Sequence, residues 1–110
     1  MTPPTLQDVL DAQRRIQPWV LRTPVVSAWA LGICLKLESL QVTGSFKPRG
    51  AFNHILRHRD RCGQGVVTAS SGNHGQAVAY AARCLGLPAV VVVPEDVVAV
   101  KERSLSLIHI

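Results

Sequence analysis

The chain has little of several things, and each shortage excludes something. It holds three cysteines in 110 residues, Cys34, Cys62 and Cys84, and no Cys-x-x-Cys. An odd number cannot all pair within one chain, and zinc sites built on Cys-x-x-Cys are excluded. The simplest reading is reduced, mostly buried thiols in a cytoplasmic protein. Aromatic residues make up only 5%, and none interleaves with the scattered basic side chains. The net charge of +5 therefore does not point to nucleic acid, which needs stacking platforms or a recognition motif. Arg57, Arg59 and Arg61 read instead as a solvated helix face. The longest Ala/Val run, Ala89 to Val93, falls far short of the ~18 apolar residues of a membrane span. No basic stretch followed by an apolar one opens the chain, so a secretory signal is not expected. The eight glycines form neither a four-glycine run nor a phosphate-binding loop. Gly63-Gln-Gly65-Val-Val-Thr68 departs from G-x-G-x-x-G at its last position and leads into a strand.

What is present reads as a globular α/β chain. Hydrophobic residues make up 47%, and a chain of this size buries roughly two thirds of its unfolded surface. Thr5-Leu-Gln-Asp8 is a capping signal with Asp in place of Glu or Gln. Leu6, Val9 and Leu10 then follow helical spacing to Gln17-Pro18. Thr23 to Val26 is extended, and Ile33 to Leu37 reads as a strand. A polar loop, Glu38 to Phe46, leads into a helix with Pro48 in its first turn and Phe52, Ile55 and Leu56 as its apolar stripe. Gly65 to Ala69 and Ala89 to Val93 read as buried strands flanking an alanine-rich helix from His74 to Leu85, stopped by Gly86. Glu95-Asp96 is expected to cap a last helix. Trp19 and Trp29 are expected to be packing residues. Alternation of helix with apolar strand predicts a parallel sheet flanked by helices. Ligands of such sheets bind beyond the carboxyl ends of the strands, here at Ser70 to Asn73.

Two segments carry chemistry. In Ser45-Phe-Lys47-Pro-Arg-Gly-Ala51, the residue before Pro48 is biased away from helix, which places Lys47 at a helix N-terminus. The positive end of the helix dipole, with burial, disfavours an ammonium, and a partly neutral amine is what Schiff-base chemistry needs. An ordinary exposed lysine remains the commoner outcome on local physics alone. In Ala69-Ser-Ser-Gly-Asn-His-Gly-Gln76, Gly72 admits a close ligand and the following helix offers free N–H groups to an anion. A plain turn capped by Asn73 explains the same residues. His54 and His58, four apart on one face, lack the glutamate and third ligand of a metal site, so no metal is expected.

Taken together, Glu38 to Ala51 and Ser70 to Gln76 resemble the Schiff-base lysine segment and substrate loop of the fold-type II pyridoxal-phosphate enzymes. The threonine/serine dehydratases and serine racemases are the nearest in kind. The resemblance implies a tryptophan-synthase-β-like α/β architecture and pyridoxal 5'-phosphate as cofactor. By that resemblance Lys47 binds the cofactor as a Schiff base and then moves the substrate Cα proton. Phe46 packs beside the ring, and Asn73 bonds the ring hydroxyl oxygen. Ser70, Ser71, Gly72, Asn73 and His74 line the substrate site. Serine at position 71 resembles the racemases, where it acts as acid/base on the opposite ring face, but dehydratases with serine there also exist.

The same resemblance places a glycine-rich phosphate cradle further along such enzymes, and none is found in these 110 residues. The chain is accordingly expected to be an N-terminal fragment, weak or inactive by itself. Residues 1–59 are expected to belong to the large cofactor-binding domain and 60–103 to an incomplete small domain. Residues 104–110 are expected to be a tail foreign to the family. The expected activity is hydroxy-amino-acid ammonia-lyase, turning L-threonine or L-serine into a 2-oxo acid and ammonia. Serine racemase is the alternative, and an inert polypeptide or small anion-binding module is the alternative of another class. A small amino-acid substrate, a homo-oligomeric parent, a cytoplasmic location and no nucleic-acid or membrane partner complete the expectations.

Overall fold

The computed structural model describes residues 2–96 together with Ala99 and Arg103. The first helix, α1 (Leu6–Ile16), begins on a reciprocal capping box. Thr5 Oγ1 accepts from the Asp8 N–H at 3.2 Å, and the Asp8 carboxylate accepts from the Thr5 N–H at 2.7 Å. Two of the donors that every helix start leaves without intrahelical partners are thereby satisfied. The backbone N–H of Thr5, then its hydroxyl, hold the Asp8 carboxyl below its ordinary pKa. Of the apolar face only Ile16 is buried, while Leu6 and Val9 remain exposed.

Strands β1 (Val25–Ala28) and β2 (Ile33–Lys36) follow, joined by a single helical turn, Trp29–Leu31, and Gly32. They pair antiparallel, Val25 opposite Lys36 and Ala28 opposite Ile33. This departs from the expected parallel arrangement, for a geometric reason. Parallel neighbours need a crossover of about a dozen residues, and the connection here is too short for one. The ribbon is also open to solvent, all four β2 residues being exposed. Cys34 sits on that strand and is exposed, as is Cys84, while Cys62 is half-buried. The reading of mostly buried thiols is corrected accordingly. Trp29 is 90% exposed, so only Trp19 fills the expected packing role.

The core lies between α2 (Lys47–Arg57) and α3 (Asn73–Cys84). Phe52 is fully buried. Trp19 stacks on it at 5.6 Å between ring centroids, and Tyr80 meets it edge-on at 6.1 Å. Ile16, Ile55, Val78 and Leu85 close around this aromatic group. Arg59 and Arg61, expected on a solvated helix face, lie beyond the end of α2. The helix gives way after His58 to one tight turn, Arg59–Arg61. From that turn Arg59 donates to the Leu85 carbonyl at 2.8 Å, tying the ends of α2 and α3 together. Arg59 therefore does more than solvate a helix face.

Strand β3 (Val66–Ala69), α3 and strand β4 (Ala89–Val92) form a strand-helix-strand unit with parallel pairing, Val66 opposite Ala89. Here the expected architecture is met, and α3 is the crossover. In both strands half-buried and exposed residues alternate, so one face packs and the other is open. Gly65 lets the strands begin so close together. Its φ is +109°, and a Cβ there would stand 2.6 Å from the Pro88 carbonyl oxygen. Gly86 ends α3 in the left-handed conformation, φ +66°, as its position after the alanine run predicts. The helix expected after Glu95-Asp96 and the tail 104–110 lie outside the described residues.

Candidate functional site

The polar loop between β2 and α2 is folded by a network centred on Glu38. Arg49 donates from Nε to Oε2 and from a terminal nitrogen to Oε1, both at 2.8 Å. The Thr23 hydroxyl donates to the same carboxylate. The Arg49 fork, then the Thr23 hydroxyl, outweigh burial and hold the Glu38 carboxyl down at about 2. Lys36 Nζ donates to the Thr23 carbonyl at 2.6 Å. Gln41, almost fully buried, clasps the Leu21 backbone from both sides, accepting from its N–H at 2.9 Å and donating to its carbonyl at 2.8 Å. The start of α2 is thereby anchored to the segment before β1.

The loop then turns sharply into the helix. Thr43 has φ +63° and Gly44 φ +73°. A left-handed β-branched residue is strained, and the Thr43 hydroxyl is buried without a partner. Phe46 precedes α2 with helical dihedrals, and Lys47 is the helix's first residue with Pro48 second. The bias that proline places on Lys47 is overridden, since the Pro48 ring is buried in the fold. The Lys47 ammonium lies 4.9 Å from the centroid of the exposed Phe46 ring. Among the described residues it has no hydrogen-bond acceptor and no ion pair, in contrast to Lys36.

A cleft of about 670 Å³ opens between α2, β3 and α3. Lys47, Gly50, His54 and His58 line it along one stripe of α2, with Thr68 and His74 on the opposite wall. The rings of His54 and His58 are 4.8 Å apart. No group of three metal-ligating side chains occurs among the described residues.

Of the site residues expected from sequence, Phe46, Lys47 and His74 line this cleft. Ser70, Ser71, Gly72 and Asn73 stand at its end, between Thr68 and His74 in the chain, and do not line it. Ser70 is fixed by its N–H to the Val92 carbonyl at 3.0 Å, and its hydroxyl accepts from the Gly72 N–H at 3.2 Å. Gly72, not Asn73, is the N-cap of α3, with no side-chain cap bond. The first N–H groups of α3 are thus free to meet an anion, and the Asn73 amide is exposed and not spent on capping. Sequence reasoning missed the Glu38–Arg49 anchor and the open position at Gly50. It considered His54 and His58 only as metal ligands and set them aside, and both line the cleft.

Fold and cleft together define an α/β protein that presents a lysine side chain, with no hydrogen-bond acceptor or ion pair among the described residues, in a cleft with an uncapped helix start at its end. The chain belongs to the pyridoxal-phosphate dependent enzyme family, whose sequence model matches residues 16–108. It is 44% identical over 108 residues to the L-threo-3-hydroxyaspartate ammonia-lyase of Saccharomyces cerevisiae, covering 92% of this chain and 33% of that protein. It is 39% identical over 108 residues to a catabolic L-threonine dehydratase of Staphylococcus aureus, covering 91% and 31%. Among solved structures it matches maize serine racemase with a TM-score of 0.90 and 38% identity, over 97% of this chain and 35% of that one. The chain thus spans about a third of the length of these relatives. The family's cofactor is pyridoxal phosphate, and the cleft suits it in two respects. A primary amine stands in it without a competing acceptor among the described residues, and a Cβ built on Gly50 would meet no atom within 4 Å. No described helix is long and apolar enough to cross a membrane.

Proposed function

We propose that this chain carries the lysine-bearing part of a pyridoxal-phosphate-dependent hydroxy-amino-acid ammonia-lyase acting on L-threonine or L-serine. The observation that carries the reading is the Lys47 amine, without an acceptor among the described residues, in a cleft whose far wall includes His74. When bound, the cofactor supplies an electron sink for the substrate α-carbon. Lys47 Nζ would hold the cofactor and then take the proton from that carbon, which leaves with the β-hydroxyl as water; hydrolysis of the resulting enamine gives the 2-oxo acid and ammonia. Phe46 supports the ring, and the Asn73 amide holds its hydroxyl oxygen. The N–H groups at the start of α3, with Ser70, Ser71, Gly72 and His74, take the substrate carboxylate. The Glu38–Arg49 pair acts through α2 by fixing the helix on which Lys47 stands.

In this reading residues 1–59 belong to the large domain and 60–103 to the small one. The exposed apolar faces of α1, β1 and β2 are surfaces for the remainder of such an enzyme, which also supplies the phosphate cradle. The free cysteines accord with a cytoplasmic location, and we assign the parent enzyme as a homo-oligomer. Serine racemase is the second reading, supported by Ser71 at the turn and by the likeness to the maize structure.

A chimera in which this chain replaces the matched third of the yeast relative tests both. It is given L-threonine, L-serine and D-serine, with 2-oxo acid and chirality followed separately. We expect 2-oxo acid from the L-amino acids, abolished in Lys47→Ala. Interconversion of the serine enantiomers, abolished in Ser71→Ala, would favour the racemase. Turnover that survives Lys47→Ala would overturn both. A chimera that folds and binds carboxylates without turnover would favour the anion-binding alternative.

A further inference from the structure

Gly50 has no explanation in the fold. It lies inside α2, where glycine costs helix stability relative to alanine. Its φ is not in the left-handed region, and a Cβ built on it meets no atom within 4 Å. Neither backbone conformation nor close packing among the described residues asks for glycine there, unlike at Gly65. What distinguishes the position is the cleft. Gly50 is exposed, lines it, and stands one turn from Lys47 on the same stripe of α2 as His54. Residues three and four apart on a helix are surface neighbours, so a side chain at 50 would project beside the Lys47 amine.

We propose that Gly50 is a clearance position: its missing side chain leaves room for a planar aromatic aldehyde to reach Lys47. The inference rests on the proposed cofactor site and deepens it by naming the residue that admits a bulky carbonyl compound and not only a small one. Alanine at 50 narrows the approach by one methyl group without disturbing the fold. A small aldehyde passes it and a substituted pyridine ring does not.

The test compares the native chain with Gly50→Ala in two measurements. Thermal unfolding without any aldehyde reads the fold, and the variant is expected to melt higher by roughly 2–6 °C from helix propensity. Labelling is then read by peptide mass after hydride reduction, once with pyridoxal phosphate and once with formaldehyde. The native chain is expected to take the pyridoxyl mass at Lys47 in preference to Lys36 and Lys101. In Gly50→Ala that mass at Lys47 is expected to fall about tenfold, the scale of a methyl group overlapping the space the ring has to enter, while formaldehyde labelling is unchanged. Equal pyridoxyl labelling of the two proteins at Lys47 would overturn the clearance role and leave the cofactor site standing. A native chain with no preference for Lys47 would overturn the site and the clearance role together. A lower melting temperature in the variant, or equal loss of both labels, would show that Gly50 serves the fold and would overturn the inference.

Discussion

Replacing Glu38 with Gln removes the charge from the network that anchors α2 and leaves the shape nearly unchanged. The native carboxylate accepts two Arg49 hydrogen bonds of 2.8 Å. The two side chains are 18% and 31% exposed, so the pair is shielded but not dry. A carboxyl held at about 2 instead of 4.5 corresponds to about 3 kcal/mol in favour of the folded, ionised form. Solvent around the pair reduces the net effect to about 1–2 kcal/mol. The folded pKa is depressed, so this stability is fully present above the pKa of the unfolded carboxyl. It declines as pH falls below that value and is gone once pH has passed below about 2. Urea unfolding followed by tryptophan emission, with Trp19 reporting from its stack on Phe52, reads the difference between native chain and Glu38→Gln. We expect the native chain to be more stable by about 1–2 kcal/mol at pH 7, with the gap closing progressively between pH 4 and pH 2. Asp8, also held below its ordinary pKa, is common to both proteins and cancels. A gap that stays constant across this range would refute the assignment of the stabilisation to an ionised Glu38.

Two further outcomes follow from the core and the loop. Phe52→Ala empties the aromatic centre between Trp19 and Tyr80, and should cost about 3–5 kcal/mol. That is enough to broaden or abolish the cooperative transition seen by circular dichroism. Thr43→Gly relieves a left-handed threonine and removes its buried, partnerless hydroxyl, and should raise stability by about 1–2 kcal/mol in the same urea assay.

The parts of the fold legible in the sequence are those set by neighbours along the chain. Thr5 and Asp8 announce the start of α1 because the capping box is local, and Gly86 ends α3 for the same reason. The alanine run between two valine-rich segments gives the parallel strand-helix-strand unit. The antiparallel ribbon was not legible. Val25, Val26, Ile33 and Leu35 look like buried parallel strands, yet the short link through Trp29 to Gly32 forces a hairpin, and nothing among the described residues covers it. Cys34, Cys84 and Trp29 were misplaced by the same logic, because residue type alone does not say which faces are covered.

At the site, Lys47 and the Ser70–Asn73 turn were singled out by their motif contexts. The bond partners of Glu38 were not, since no periodicity links residues eleven apart through a loop. Thr43 was missed because a β-branched residue gives no hint of a left-handed turn. Lys47 joins the helix despite the proline after it, since the tertiary contacts that bury Pro48 outweigh a local preference.

Titration of the purified chain with pyridoxal phosphate, followed by visible absorbance with Lys47→Ala alongside, tests the central claim most directly. The account predicts a new band in the native protein, bleached by hydride, that the variant lacks. A band of equal strength in Lys47→Ala, or none in either protein, would contradict it.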